Sequence, residues 1–89
     1  METRIAIIGI IVEHTDNVDM LNWLLSTYGQ YIIGRMGIPY RKHNMNIMSI
    51  AVDAPQDVIN ALSGKIGKID GISTKTAYSR MVFTDESTN

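Results

Sequence analysis

Residues 31–53 read YIIGRMGIPYRKHNMNIMSIAVD and decide how the chain is arranged. Two apolar runs, 30–40 and 45–53, flank the basic tetrapeptide RKHN near the middle of this 89-residue chain. The isoleucines and valine of these runs suit a pleated strand. The pattern therefore predicts two antiparallel strands that are joined by a tight basic turn.

The residues before this hairpin predict a strand followed by a helix. Residues 3–13 are rich in isoleucine and do not alternate with polar residues, which is typical of a central strand that is covered on both faces. Residues 16–28 carry apolar side chains at helical spacing. Asp16 is a good N-cap for this first helix, and Gly29 is its expected stop.

The residues after the hairpin predict a helix followed by a strand. The second helix spans residues 55–69, with Pro55 in its first turn, where a missing N–H costs nothing. Residues 72–80 alternate between two faces and predict a fourth strand, which residues 81–83 extend. We expect one domain over residues 1–83 and a polar C-terminal tail over residues 84–89.

The resulting order, β-α-β-β-α-β, predicts an α+β fold of the ferredoxin-like (ACT-like) type, with two helices on one face of a four-stranded antiparallel sheet. Right-handed connections place the first and third strands in the middle of the sheet. These two strands are apolar on both faces, yet the helices cover only one. Because the chain has no further element for the second face, we expect another copy to cover it in a homo-oligomer, a dimer or a tetramer.

Composition excludes several classes of function. Hydrophobic residues make up 45% and charged residues 19% of the chain, and the net charge is −1. A near-neutral domain lacks the basic surface of most proteins that bind nucleic acids, so we expect no direct nucleic-acid binding. The chain has no cysteine, which excludes thiolate nucleophiles and cysteine-held iron–sulfur clusters on this chain. We expect no cofactor.

The first apolar run, IAIIGIIV, is neither a membrane span nor a signal peptide. It has eight residues, whereas a membrane-spanning helix needs about 20. It also lacks the small-residue cleavage site of a signal peptide. We therefore expect a cytoplasmic protein without membrane contact.

One end of the predicted domain collects polar side chains, because the first strand ends there and the hairpin turn lies at the same pole. Three readings stay open: a divalent metal site, an anion site formed with the start of the first helix, or an acidic loop and a basic turn that compensate each other. No His-x-His or similar ligand spacing supports the metal. These polar-end candidates are Glu13, His14, Asp16, Arg41, Lys42 and His43.

The second candidate region lies within the second strand. Gly34 and Gly37 weaken a strand and often mark a bulge, or a place where a ligand or another backbone comes close. Arg35, between them, could bind an anion or pair across a subunit boundary. The alternative is a bulged edge strand with a solvent-facing arginine.

Trp23 is the third candidate, because it falls almost opposite the apolar arc of the first helix. It is either a partly exposed side chain packed on long neighbours or an anchor for a subunit or partner. For catalysis, no serine has an evident base beside it and the carboxylates are scattered, so we expect no enzyme activity.

Two segments resemble a known family: GRMGIPYRKHN and DAPQDVINALSGKIGKIDGISTKTAYS. They are similar to the small proteins described as iron-only hydrogenase system regulators, which in turn resemble ACT-type domains and the C-terminal domain of nickel-responsive repressors. The resemblance covers about residues 3 to 80. It implies a ferredoxin-like fold, a dimer or tetramer, and a role in transcriptional regulation.

The chain also departs from these relatives. No ribbon-helix-helix segment precedes the first strand, and the only histidines are His14 and His43. Residues 13–16 read EHTD, where ACT domains carry glycine. The resemblance therefore does not imply nickel sensing or amino-acid binding. The leading hypothesis is a non-enzymatic regulatory oligomer that binds a small effector between subunits. An adaptor that docks a partner through Trp23 and the exposed sheet face is the alternative, and an enzyme of the ferredoxin-like barrel type is the third.

Overall fold

Four strands and two α-helices follow one another in the predicted order. The computed structural model describes residues 2–84. The elements are β1 Glu2–Val12, α1 Val18–Thr27, β2 Ile32–Tyr40, β3 Met45–Ala54, α2 Gln56–Gly67 and β4 Ile72–Thr84. The strands form one antiparallel sheet in the order β2-β3-β1-β4, which makes β1 and β3 central. The ferredoxin-like prediction is confirmed.

The central ladder is regular and the outer ladders are not. β1 and β3 pair without interruption from Arg4 opposite Ala54 to Val12 opposite Asn46. The β1–β4 register shifts between Arg4 and Ala6, and the β2–β3 register shifts between Ile32 and Gly34. Bulges of this kind bend the strand that carries them and increase its local twist.

The core lies between the helices and one face of the sheet. Alternate residues of β1 and β3 point to the helices, since successive side chains of a strand face opposite sides. Within residues 2–14 and 16–84 every buried side chain is apolar. The largest fully buried ones are Ile8, Ile10, Leu21, Leu25, Ile50, Ile59, Leu62, Ile66, Val12 and Val52.

The start of α1 differs from the prediction. Asp16 lies in a 3-10 turn, Thr15–Asn17, and α1 begins at Val18 with Asn17 in the cap position. The Asn17 side chain does not cap the helix. Its Nδ2 donates to the carbonyl oxygen of Asp70 at 3.1 Å. A contact between distant parts of the chain therefore sets this boundary, and Asp16 as N-cap was wrong.

Other boundaries also move by a few residues. Pro55 precedes α2, as its N-cap residue, rather than lying in the first turn. Its carbonyl oxygen accepts hydrogen bonds from the N–H groups of Val58 and Ile59. A second 3-10 turn, Gly29–Tyr31, takes the residues before β2. β4 includes Thr84, which was predicted to begin the tail; residues 85–89 lie outside the described residues. No helix within residues 2–84 is long and apolar enough to cross a membrane.

Candidate functional site

The sheet face opposite the helices is apolar and uncovered. We call it the open face. The strand registers place on it alternate residues of all four strands. Five of its large apolar side chains are each between 40% and 60% exposed: Ile7, Ile11, Met36, Ile38 and Ile47.

A groove of about 450 Å³ runs across the middle of the open face. Gly9 forms its floor, since it is the one residue of β1's outward row, between Ile7 and Ile11, that has no side chain. Gly9 pairs with Ser49 on β3 and with Lys75 on β4. The groove is lined by Gly9, Ile10, Ile11, Ile47, Met48, Ser49, Ser73, Thr74 and Lys75.

The chemistry of the groove is apolar with a single cation. Ile11 and Ile47, which pair across the β1–β3 ladder, form an apolar wall. Ser49 and Ser73 supply hydroxyl groups, and Lys75 is the only charged residue among the described lining residues. The groove can therefore hold a small molecule that combines an apolar body with a hydrogen-bonding or anionic end.

At the polar end, the loop after β1 packs against the turn before β4. The Glu13 N–H donates to the Gly71 carbonyl oxygen at 2.7 Å, and the His14 N–H points to the same oxygen at 3.4 Å. Gly71 has a φ of 81°, and a Cβ added there would lie 3.0 Å from the His14 side chain. Glu13, His14 and Asp16 are exposed. The turn at Gly71 therefore holds the loop that carries these residues in place.

The basic turn lies at the same end of the sheet, because Asn46 at the start of β3 pairs with Val12 at the end of β1. Arg41, Lys42 and His43 form an exposed 3-10 turn that ends at Asn44, whose φ is 55°. The His43 ring lies 5.4 Å from the Tyr40 ring. β3 separates β1 from β2 in the sheet. Within residues 2–84 no group of three or more histidine, aspartate or glutamate residues is placed to hold a metal ion.

Gly34 and Gly37 of β2 are not required by close packing within the chain. A Cβ added at Gly34 or Gly37 would meet nothing within 4 Å. Gly34 pairs with Ala51 on the open face, whereas Arg35 pairs with Ile50 and Gly37 with Met48 on the helix side of the sheet. The predicted irregularity lies at residues 32–34. The three candidates therefore lie along one edge strand but on two faces.

Trp23 lies on the outer surface of α1 and is 66% exposed. Met20, one turn earlier, is 55% exposed, so the two form an apolar pair on the helix. The helix layer separates this pair from the open face. A single flat partner surface cannot contact Trp23 and the open face together.

The sequence alone did not predict the groove. Its signal was present in two places: a glycine within the isoleucine run of β1, and the polar row of β4 that contains Ser73 and Lys75. Only the registers of β1 with both neighbours place Gly9, Ser49 and Lys75 side by side. The candidates named from sequence lie outside the groove lining, at the polar end, on β2 and on α1.

A family model and a number of solved structures are similar to this chain. The family model TM1266-like, for an iron-only hydrogenase system regulator, matches residues 4–76. The structure of uncharacterized protein TM1266 from Thermotoga maritima is 34% identical and superimposes with a TM-score of 0.84. The match covers 88% of this chain and 99% of that one. The predicted family resemblance is confirmed.

A more distant structure shows the fold alone. A formyltetrahydrofolate deformylase from Pseudomonas putida KT2440 is 13% identical, with a TM-score of 0.59. That match covers 82% of this chain and 28% of the deformylase chain. None of the curated proteins matches the sequence.

Proposed function

This chain belongs to the TM1266-like family, whose proposed role is regulation of the iron-only hydrogenase system. We propose that it is a non-enzymatic regulatory domain that works as a homo-oligomer. In this proposal two subunits pack open face against open face. A small effector binds at the subunit interface. The observation that carries the proposal is the uncovered apolar face of the sheet.

Exposure of the open face is costly in a monomer. Five large apolar side chains share one flat surface, and each keeps 40% or more of its area exposed. Contiguous apolar patches of more than a few hundred Å² are rare on monomers and usually mark interaction sites, at a cost of about 25 cal/mol for each Å² left in water. A second copy offers the same apolar surface in a closed, symmetric arrangement.

The area of the open face is enough for a small specific interface. The β1–β3 ladder joins residues 4–12 to residues 46–54. At about 3.4 Å per residue and about 4.8 Å between strands, four strands of this length make a surface of roughly 19 by 30 Å. Two such surfaces bury about 1,100 Å², which is just above the minimum of about 1,000 Å² for a specific interface.

The edge strand β2 offers a second contact, which would extend a dimer to a tetramer. Ile33 is 62% exposed beside Gly34, and both glycines leave room for an approaching backbone. Arg35 is exposed on the same strand and is suited to an anionic group of a neighbouring subunit or ligand. We assign no role to the polar-end residues in this assembly.

A second candidate function is that of an adaptor, and a different surface supports it. Trp23 and Met20 form an apolar pair on α1. Tryptophan is enriched among the residues that carry binding energy in protein interfaces. An adaptor would lose its partner in Trp23→Ala while keeping its own oligomeric state, because Trp23 lies on the layer opposite the open face.

A matched pair of variants tests the proposed assembly. Ile47→Lys places a charge in the open face, where Ile47 is 43% exposed, and Met20→Lys places the same charge on α1, where Met20 is 55% exposed. We expect Ile47→Lys to shift the sedimenting species to a monomer and Met20→Lys to leave it unchanged. Equal masses for both variants and the wild type would reject the open face as the interface.

A further inference from the structure

We infer that the groove on the open face binds a small apolar carboxylate, with Lys75 as the counter-ion of its carboxylate group. The inference rests on the proposed face-to-face oligomer, which supplies the second wall of the site. It goes further by assigning the ligand's chemical class and the residues that recognise it. The groove itself is formed within one chain by residues of β1, β3 and β4.

The position of Lys75 gives the charge of the ligand. Lys75 pairs with Gly9 at the floor of the groove, and none of the lining residues is acidic. On the open side of the sheet, Asp53 pairs with Ile5 and Glu13 follows the end of β1. Each is four positions from Gly9 along the chain direction, or about 13 Å.

Assembly would take water away from Lys75 without giving it a partner of opposite charge. Packed sheets lie about 10 Å apart, so the partner sheet would remove much of the water above the groove. A charge that loses water without a partner is strongly unfavourable, whereas a charge-assisted hydrogen bond to a carboxylate is among the stronger polar contacts in proteins. A ligand carboxylate supplies the partner that the groove lacks.

The remaining lining residues indicate the rest of the ligand. Ile11 and Ile47 offer an apolar wall. Hydroxyl groups come from Ser73, two residues before Lys75 on β4, and from Ser49, on the other side of Gly9. The volume of about 450 Å³ falls within the roughly 300–1,000 Å³ of typical ligand sites. One lysine matches a monoanion better than a phosphate monoester, which carries about −1.5 to −2 charges at neutral pH.

Octanoate and its neutral analogue octanamide test the inference as a matched pair of probes. Both are titrated into the full chain and followed by the amide NMR signals of Gly9, Ser49 and Lys75. We expect octanoate to bind the wild type at least about tenfold more tightly than octanamide, since a hydrogen bond to a charged group contributes about that factor or more. Lys75→Met should abolish this preference, because it removes the ammonium group that distinguishes a carboxylate from a neutral amide.

A second variant guards against an effect of Lys75→Met on folding. Gly9→Val fills the floor of the groove, while the site of its Cβ is 3.8 Å from the nearest atom, the Lys75 carbonyl oxygen. It should weaken both probes alike. Equal affinities of octanoate and octanamide for the wild type, or an octanoate preference that survives in Lys75→Met, would overturn the inference.

The oligomeric state is measured on the same samples, so the two proposals fail separately. An oligomer without octanoate preference overturns the carboxylate site and leaves the proposed assembly standing. A monomer overturns the proposed assembly, and with it the account of why Lys75 needs a ligand. An oligomer that prefers octanoate through Lys75 supports both.

Discussion

Gly9 faces Lys75 across the β1–β4 ladder, and a Cβ added to Gly9 would lie 3.8 Å from the Lys75 carbonyl oxygen. That separation is an ordinary van der Waals contact. The backbone at residue 9 therefore has room for a side chain, and the groove exists because this position has none. Ile7 and Ile11, on the same row of β1, show what the row would otherwise carry.

Gly9→Ala should raise the free energy of unfolding by about 0.5–1 kcal/mol, because alanine loses less backbone entropy than glycine in a strand interior. Urea denaturation at a fixed protein concentration measures the change, since the stability of an oligomer depends on concentration. A lower stability of Gly9→Ala would mean that residue 9 is glycine for a backbone reason, and the account of the groove floor would fail.

Thr74→Val should also stabilise the protein. The Thr74 Oγ1 is buried without a hydrogen-bond partner among the described residues. Valine has nearly the same shape and removes the unsatisfied hydroxyl, so we expect a gain of about 1 kcal/mol in the free energy of unfolding.

Thr76→Val is the control for this prediction. Thr76 lies two residues along the same face of β4, and its Oγ1 is 3.0 Å from the Ser63 Oγ of α2. Valine at residue 76 removes that hydrogen bond and should lower stability by about 1 kcal/mol. The two thermal melting temperatures should thus move in opposite directions, and a shift in the same direction would contradict the hydrogen-bond assignment.

Two glycines near α2 should respond oppositely to alanine. Gly71 has a φ of 81°, and its added Cβ would lie 3.0 Å from His14, whereas a Cβ on Gly64 would meet nothing within 4 Å. Gly71→Ala should cost more than about 1 kcal/mol, since the left-handed backbone region is unfavourable for residues with a Cβ. Gly64→Ala should add about 0.5–1 kcal/mol because alanine is the better helix former. Differential scanning calorimetry separates the two, and a neutral Gly71→Ala would contradict the tight turn.

The sequence predicts the order of the helices and strands because each of them depends on the spacing of apolar residues that are close together in the chain. The apolar spacing of α1 and α2 and the unbroken isoleucine run of β1 each lie within a dozen neighbouring residues. The two apolar faces of β1 and β3 were equally visible, and they led to the prediction that a second copy covers the open face.

Features that depend on distant residues could not be predicted in the same way. Asp16 and Asn17 are both good N-cap residues, and the difference between them comes from Asp70, which is 53 residues away from Asn17. The groove requires the registers of β1 with two other strands, and a shift by one residue would turn Lys75 to the helix side of the sheet.

In the proposed assembly, a second copy of this chain covers the open face. Sedimentation equilibrium of the wild-type protein at micromolar concentration measures the number of subunits. The subunit mass is 9.9 kDa, so a dimer and a tetramer have two and four times that mass. We predict a species of two or four subunits that Ile47→Lys converts to one. A wild-type protein that sediments as a stable monomer over this concentration range would contradict the claim.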